Sequence, residues 1–122
     1  MTGRQSPLTV VVVDDDERIR RAIGRLLRSH GYIVHVFDSA EAYLAEECRA
    51  DCAILDIELP NISGLELSER LRANGRPIPV VFITAHDELH ILAAVQQTRS
   101  PLLKKPIDEQ ELLDAIARAM SN

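Results

Sequence analysis

Three consecutive aspartates, Asp14, Asp15 and Asp16, close one short apolar run, and Asp56 stands at the end of another. Thr84 ends a third run, and Lys105 follows a fourth. Carboxylates that converge repel one another, and burial makes the repulsion worse. A hard divalent cation relieves it. Magnesium suits such a set because it accepts a few carboxylate oxygens, keeps several waters and leaves room for phosphate oxygens. Taken singly, each of these residues has a plainer reading. Asp56 is then an ordinary strand-end carboxylate, Asp14 and Asp15 a solvated helix cap, Thr84 a capping hydroxyl and Lys105 a surface lysine. Only their meeting at one place makes a site.

The elements that would bring about that meeting follow from the spacing of apolar residues. Runs too short for helices alternate with segments of helical period, the pattern of repeated βα units around a parallel sheet in an α/β protein. Five units fit. The first strand spans residues 8–13 and is rich in β-branched side chains. In the helix after it, Ile19, Ala22, Ile23, Leu26 and Leu27 recur at helical spacing with Arg18, Arg20, Arg21, Arg25 and Arg28 opposite, until Gly31 stops it. Residues 32–37 form a second strand, and Ser39 caps a short helix.

The third strand, residues 52–55, delivers Asp56, and Pro60 keeps the ladder from continuing. Ser63 and Glu66 read as a capping box opening a third helix. A fourth strand covers residues 80–83 and ends at Thr84, and a fourth helix covers 89–97. Leu102-Leu103 is a very short fifth strand, and Asp108 with Glu111 caps a last amphipathic helix. If the strands are parallel with right-handed crossovers, their carboxyl ends open onto one edge of the sheet, where such folds place their sites. Four strands then feed polar groups into one crevice.

Composition narrows the classes further. A chain of 122 residues with 46% apolar content suits one compact domain, here residues 8–120 with 1–7 as a flexible N-terminal segment. The net charge of -5, with Lys and Arg scattered among acids, supplies no extended basic surface for direct nucleic-acid binding. The longest apolar run, Val10 to Val13, is far short of the ~20 residues of a membrane span, and residues 1–7 lack the apolar region of a signal peptide. Cys48 and Cys52 suggest neither a disulfide framework nor a zinc site; they read as small buried or half-buried residues of a cytoplasmic protein.

Val12-Val13-Asp14-Asp15, Leu55-Asp56-Ile57 with Pro60 and Gly64, Ile83-Thr84-Ala85 and Lys105-Pro106 occur in order across nearly the whole chain. Together they resemble the motifs of response regulator receiver domains, the phosphoacceptor modules of two-component systems. The resemblance implies a five-stranded, doubly wound, flavodoxin-like sheet in the order 2-1-3-4-5. It implies that Asp56 attacks phosphorus, displacing a phosphohistidine imidazole or a small donor and gaining an acyl phosphate. On the family pattern, Asp15 and Asp56 ligate Mg2+ directly, Asp14 holds one of its waters, and Glu58 lends its backbone carbonyl. Asp16 is read instead as a helix-start residue at the positive end of the dipole.

Lys105 then pairs with a phosphoryl oxygen, and the Thr84 hydroxyl takes another once it moves toward the new charge. Glu58 and His86, each two residues beyond a site residue, are positions that modulate how water reaches the phosphoryl group. The implied chemistry is self-phosphorylation and autodephosphorylation, with no separate enzymatic turnover. A sensor histidine kinase or phosphotransfer protein is the expected donor. The face of the fourth helix, fifth strand and fifth helix carries the signal to an output domain or protein partner, and is the surface through which a homodimer would form. The chain stops at Asn122 just after the last helix, which fits a free-standing regulator or the amino-terminal part of a transcription factor. The Ser39-Ala40-Glu41-Ala42-Tyr43-Leu44 stretch resembles receivers attached to helix-turn-helix domains and favours the second.

Two departures from the family stand out. Leu102 occupies the position where an aromatic usually reports the switch by rotating, and Gln96-Gln97-Thr98-Arg99-Ser100-Pro101 replaces a segment that usually carries Gly-Ala. His86-Asp87-Glu88-Leu89-His90 has the histidine spacing of a zinc helix, but its second residue is Asp, not Glu, and no third ligand is evident. Rival readings are a phosphorylation-inactive scaffold, an aspartate-nucleophile phosphatase built on Asp56-Ile57-Glu58, and a nucleotide or flavin domain. The last needs glycines or hydroxyls where Asp14-Asp15-Asp16 would repel phosphate.

Overall fold

The computed structural model describes residues 6–46 and 48–121. Along them run β1 (Thr9–Val13), α1 (Glu17–Ser29), β2 (Ile33–Phe37), α2 (Ala40–Glu46), β3 (Cys52–Asp56), α3 (Gly64–Ala73), β4 (Val80–Thr84), α4 (Leu89–Thr98), β5 (Leu102–Lys104) and α5 (Glu109–Met120). The strands form one sheet in the order β2-β1-β3-β4-β5. All neighbours are parallel, as expected for a doubly wound flavodoxin-like fold.

The inner strands are apolar along almost their whole length because helices cover both of their faces. Alternation along each strand divides the core in two. Val10, Val12, Cys52, Ile54, Val81 and Ile83 meet Ile23 and Leu27 of α1 and Leu112 and Ile116 of α5. Val11, Val13, Ala53, Leu55, Val80 and Phe82 face Tyr43 of α2, Leu67 and Leu71 of α3, and Val95 of α4.

Element boundaries differ from the sequence expectations by a residue where the ladder, rather than side-chain type, decides them. Leu8 and Tyr32 lie outside their strands, although the Leu8 carbonyl accepts from Ile33 N at 2.9 Å. Asp56 and Lys104 lie inside theirs, and α4 reaches Thr98. Asp16, Ser63 and Asp108 cap α1, α3 and α5 through their side chains, and Ser39 Oγ accepts from Ala42 N. Only half of the expected box at α3 forms, because the Glu66 carboxylate pairs with Arg70 at 2.7 Å instead of turning back.

Gly31 takes up a φ of +89° just after α1, and Arg99 ends α4 in the left-handed region at φ 63°. Cys52 is buried and Cys48 half-buried. Of the expected N-terminal segment, residues 1–5 lie outside the described residues, and Ser6 and Pro7 are exposed and in no helix or strand. Among the described residues, no helix is long and apolar enough to cross a membrane.

Strand register prepares the site. Val13 is level with Leu55, Asp56 with Ile83, and Thr84 with Lys104. The residues just past β1 and at the ends of β3, β4 and β5 therefore arrive at one height on one edge.

Candidate functional site

Asp14 and Asp56 are almost fully buried, and Asp15 is exposed beside them. One carboxylate oxygen from each of the three lies within 4.8 Å of the others. Backbone donors hold the two buried groups in place: Asp16 N donates to Asp14 Oδ1 at 2.8 Å, and Glu58 N donates to Asp56 Oδ1 at 3.1 Å. Arg20 Nη1, from the first turns of α1, reaches the Asp14 carbonyl at 2.8 Å. The other carboxylate oxygens face Lys105, whose Nζ stands 2.9 Å from Asp14 Oδ2 and 3.3 Å from Asp56 Oδ2. Lys105 N donates to the Thr84 carbonyl at 2.8 Å, which fixes the start of this side chain beside β4.

The charges do not balance. Burial and, after it, the charge of Asp14 push the Asp56 carboxyl up to about 6, against the pull of the Glu58 N–H and of Lys105. Burial acts to lower the Lys105 ammonium, but contact with Asp14 and the charge of Asp56 outweigh it, so its pKa lies above the ordinary value. Asp14 Oδ2 is buried, and the Lys105 ammonium, paired with it as an ion, is its one polar neighbour of opposite charge among the described residues. Three carboxylates that share a single ammonium, two of them buried, are a donor set for a hard cation. The residues present therefore fit a magnesium ion.

Gly64 shapes the floor. A Cβ at this position would collide with the Asp56 carbonyl oxygen, so glycine lets the start of α3 press against the turn carrying Asp56. Gly64 N donates to the Ile57 carbonyl at 3.2 Å in that contact.

Thr84 is buried at the end of β4, but its hydroxyl does not point into the aspartate cluster. It donates to Glu58 Oε2 at 2.5 Å, and Ala85 N donates to Glu58 Oε1 at 3.2 Å. This Glu58 contact was not foreseen from the sequence, where Glu58 entered through its backbone carbonyl and its position. The only signal was a carboxylate two residues beyond Asp56.

The remaining sequence candidates are placed more simply. The His86 side chain is exposed, and its backbone N–H donates to Thr84 Oγ1 at 3.0 Å. Leu102 is half-buried and packs against the core under α2, α3 and α4. Lys104 points away from Lys105 and pairs with Asp87 at 2.9 Å. His86 lies in the loop before α4 while His90 is on the helix, so the pair does not share the single helical face that a zinc helix requires. The one three-ligand cluster among the described residues is that of Asp14, Asp15 and Asp56.

The family model described as the response regulator receiver domain matches residues 10–117. The chain belongs to this family. The receiver is 36% identical to the "Transcriptional regulatory protein TdiR" of Thauera aromatica over 98% of its own length and 53% of the relative's. It therefore spans about half the length of the curated relatives it matches. Among solved structures, the response regulator StyR is similar at 42% identity and a TM-score of 0.83, covering 95% of this chain and 60% of that one. FixJ-N is similar at 29% identity and a TM-score of 0.85, with 97% of each chain covered. Some relatives of this receiver are named response regulator proteins and others transcriptional regulatory proteins.

Proposed function

We propose that Asp56 accepts a phosphoryl group in a Mg2+-dependent reaction and that the resulting charge switches the end of β4. The observation that carries this reading is the buried Asp56 carboxylate set between two other aspartates and the Lys105 ammonium. In the reaction, an Asp56 oxygen bonds to phosphorus as the phosphorus–nitrogen bond of a phosphohistidine breaks and the imidazole departs with the electron pair. Lys105 exchanges a carboxylate contact for a phosphoryl oxygen. The Glu58 N–H keeps Asp56 oriented throughout, and the Thr84 hydroxyl turns toward the new charge. Magnesium, held by Asp14, Asp15, Asp56 and the Glu58 carbonyl, would supply positive charge to the phosphoryl oxygens.

Residues 8–120 form the working domain in this reading, in the cytoplasm and with no nucleic acid bound directly. A sensor histidine kinase or phosphotransfer protein donates, and the face of α4, β5 and α5 passes the change to an output or to a second copy. Leu102 on this face makes the coupling one of loop and helix position rather than aromatic rotation. Relatives named as transcriptional regulators favour an attached DNA-binding output. A phosphatase is less well supported, since Asp56 ends the third strand and the nucleophile of such enzymes follows the first. Chemistry is then limited to the protein's own phosphorylation and dephosphorylation.

Intact-protein mass after incubation with acetyl phosphate and magnesium tests the reading. A gain of one phosphoryl group, absent in Asp56→Ala and in the presence of a chelator, is expected. A folded protein that gains no mass from acetyl phosphate or from a histidine-phosphorylated donor would be an inactive scaffold.

A further inference from the structure

The donors with which the end of β4 could hold a phosphoryl group are already engaged, and a carboxylate engages them. A hydroxyl has one proton to give, and in Thr84 the 2.5 Å bond to Glu58 Oε2 takes precedence over the 3.2 Å approach to the His86 carbonyl. The second Glu58 oxygen accepts from Ala85 N. Thr84 and Ala85 thus form a two-pronged anion cradle, and Glu58 fills it. This carboxylate comes from the turn after Asp56, whose backbone N–H at Glu58 already holds Asp56 Oδ1. The phosphoacceptor turn and the end of β4 are therefore clipped together by one side chain.

We propose that the Glu58 carboxylate is a built-in competitor of the phosphoryl group: it occupies the Thr84 hydroxyl and the Ala85 N–H in the unphosphorylated protein and is expelled when Asp56 is phosphorylated. The proposal rests on the phosphoacceptor reading of Asp56. A phosphoryl group beside Glu58 repels its negative charge and offers the same donors three oxygens in place of two. Until then, only the fraction of molecules with Glu58 swung out presents a free cradle, so apparent affinity for a phosphoryl group is reduced by that fraction. Glu58 is a positioning residue in this scheme, acting through Thr84 and Ala85.

Beryllofluoride with magnesium serves as the probe, titrated into the wild-type chain, Glu58→Ala and Glu58→Gln. The Ala85 amide is followed by heteronuclear NMR, and overall signal dispersion reports folding. In the free protein, Glu58→Ala is expected to shift the Ala85 amide and speed its exchange with solvent. Its beryllofluoride midpoint should tighten about tenfold, the scale of one charge-assisted hydrogen bond. Glu58→Gln, which keeps one acceptor oxygen, should fall between. A midpoint that is unchanged or weaker in both variants overturns the proposal alone. No binding by any of the three proteins overturns the phosphoacceptor reading, and the competition with it.

Discussion

The two helices that flank β5 in sequence are held in different ways. α5 buries Leu112, Ala115, Ile116 and Ala119 against the sheet and is capped by Asp108, whose carboxylate accepts from Glu111 N at 2.9 Å. α4 buries only Val95, begins at Glu88 without a side-chain cap and leaves Leu89 82% exposed. Helix stability in proteins comes mainly from tertiary packing of one face, so α5 is anchored and α4 is inexpensive to displace. The loop between Thr84 and α4 is exposed, in contrast to the buried aspartates a few residues away. Elements that move in switches come from the weakly held part of a fold. The receiver thus sets a firmly packed aspartate cluster beside a loosely seated helix, with Thr84 between them.

The largest effect should come from the anchored side. Ile116→Ala is expected to lower stability by about 2–5 kcal/mol in urea unfolding, and a loss under 1 kcal/mol would mean that α5 is no firmer than α4. Next comes the strain of the aspartate cluster without metal. The Asp56 carboxyl is raised to about 6 in the folded protein, so the folded state binds its proton more tightly than the unfolded chain. Stability from this group is present at low pH and is lost as pH rises through about 6. Asp56→Asn should therefore stabilise the metal-free protein above that pH by on the order of 1–3 kcal/mol and flatten this part of the profile. Thermal unfolding in chelator across pH 4–8 measures it, and magnesium should shrink the difference between the two proteins.

Caps sharpen the contrast between the helices. Asp108→Ala should cost about 1 kcal/mol through the lost cap, whereas Glu88→Ala, which removes no cap bond, should leave stability within about 0.5 kcal/mol. The smallest effect is expected at Leu89→Ala, again within about 0.5 kcal/mol in stability. A larger loss there would show α4 to be seated by contacts that its exposure conceals.

Much of this arrangement was legible in the chain because it rests on local chemistry. Leu8 to Val13, Cys52 to Leu55 and Val80 to Ile83 read as strands of a parallel sheet, since a strand covered on both faces is apolar along most of its length. Asp16, Ser39, Ser63 and Asp108 announced helix starts, since their short side chains reach backbone N–H groups only two or three residues ahead. Glu66 went elsewhere because Arg70, one turn on, offers a charged partner on the exposed face. The site residues could be named from their motifs, and the family assignment agrees with that resemblance.

The sequence by itself determined the alternation of elements, the caps and the list of polar residues at strand ends, since these depend on neighbours within a turn or a strand. Only the tertiary structure decided which partners those polar residues take. The Lys105 ammonium lies between Asp14 and Asp56, the start of α3 presses on the Asp56 backbone at Gly64, and Glu58 rather than an open crevice receives the Thr84 hydroxyl. Each of these contacts joins residues from different elements, so its geometry is set by strand register and helix packing, which no local pattern encodes.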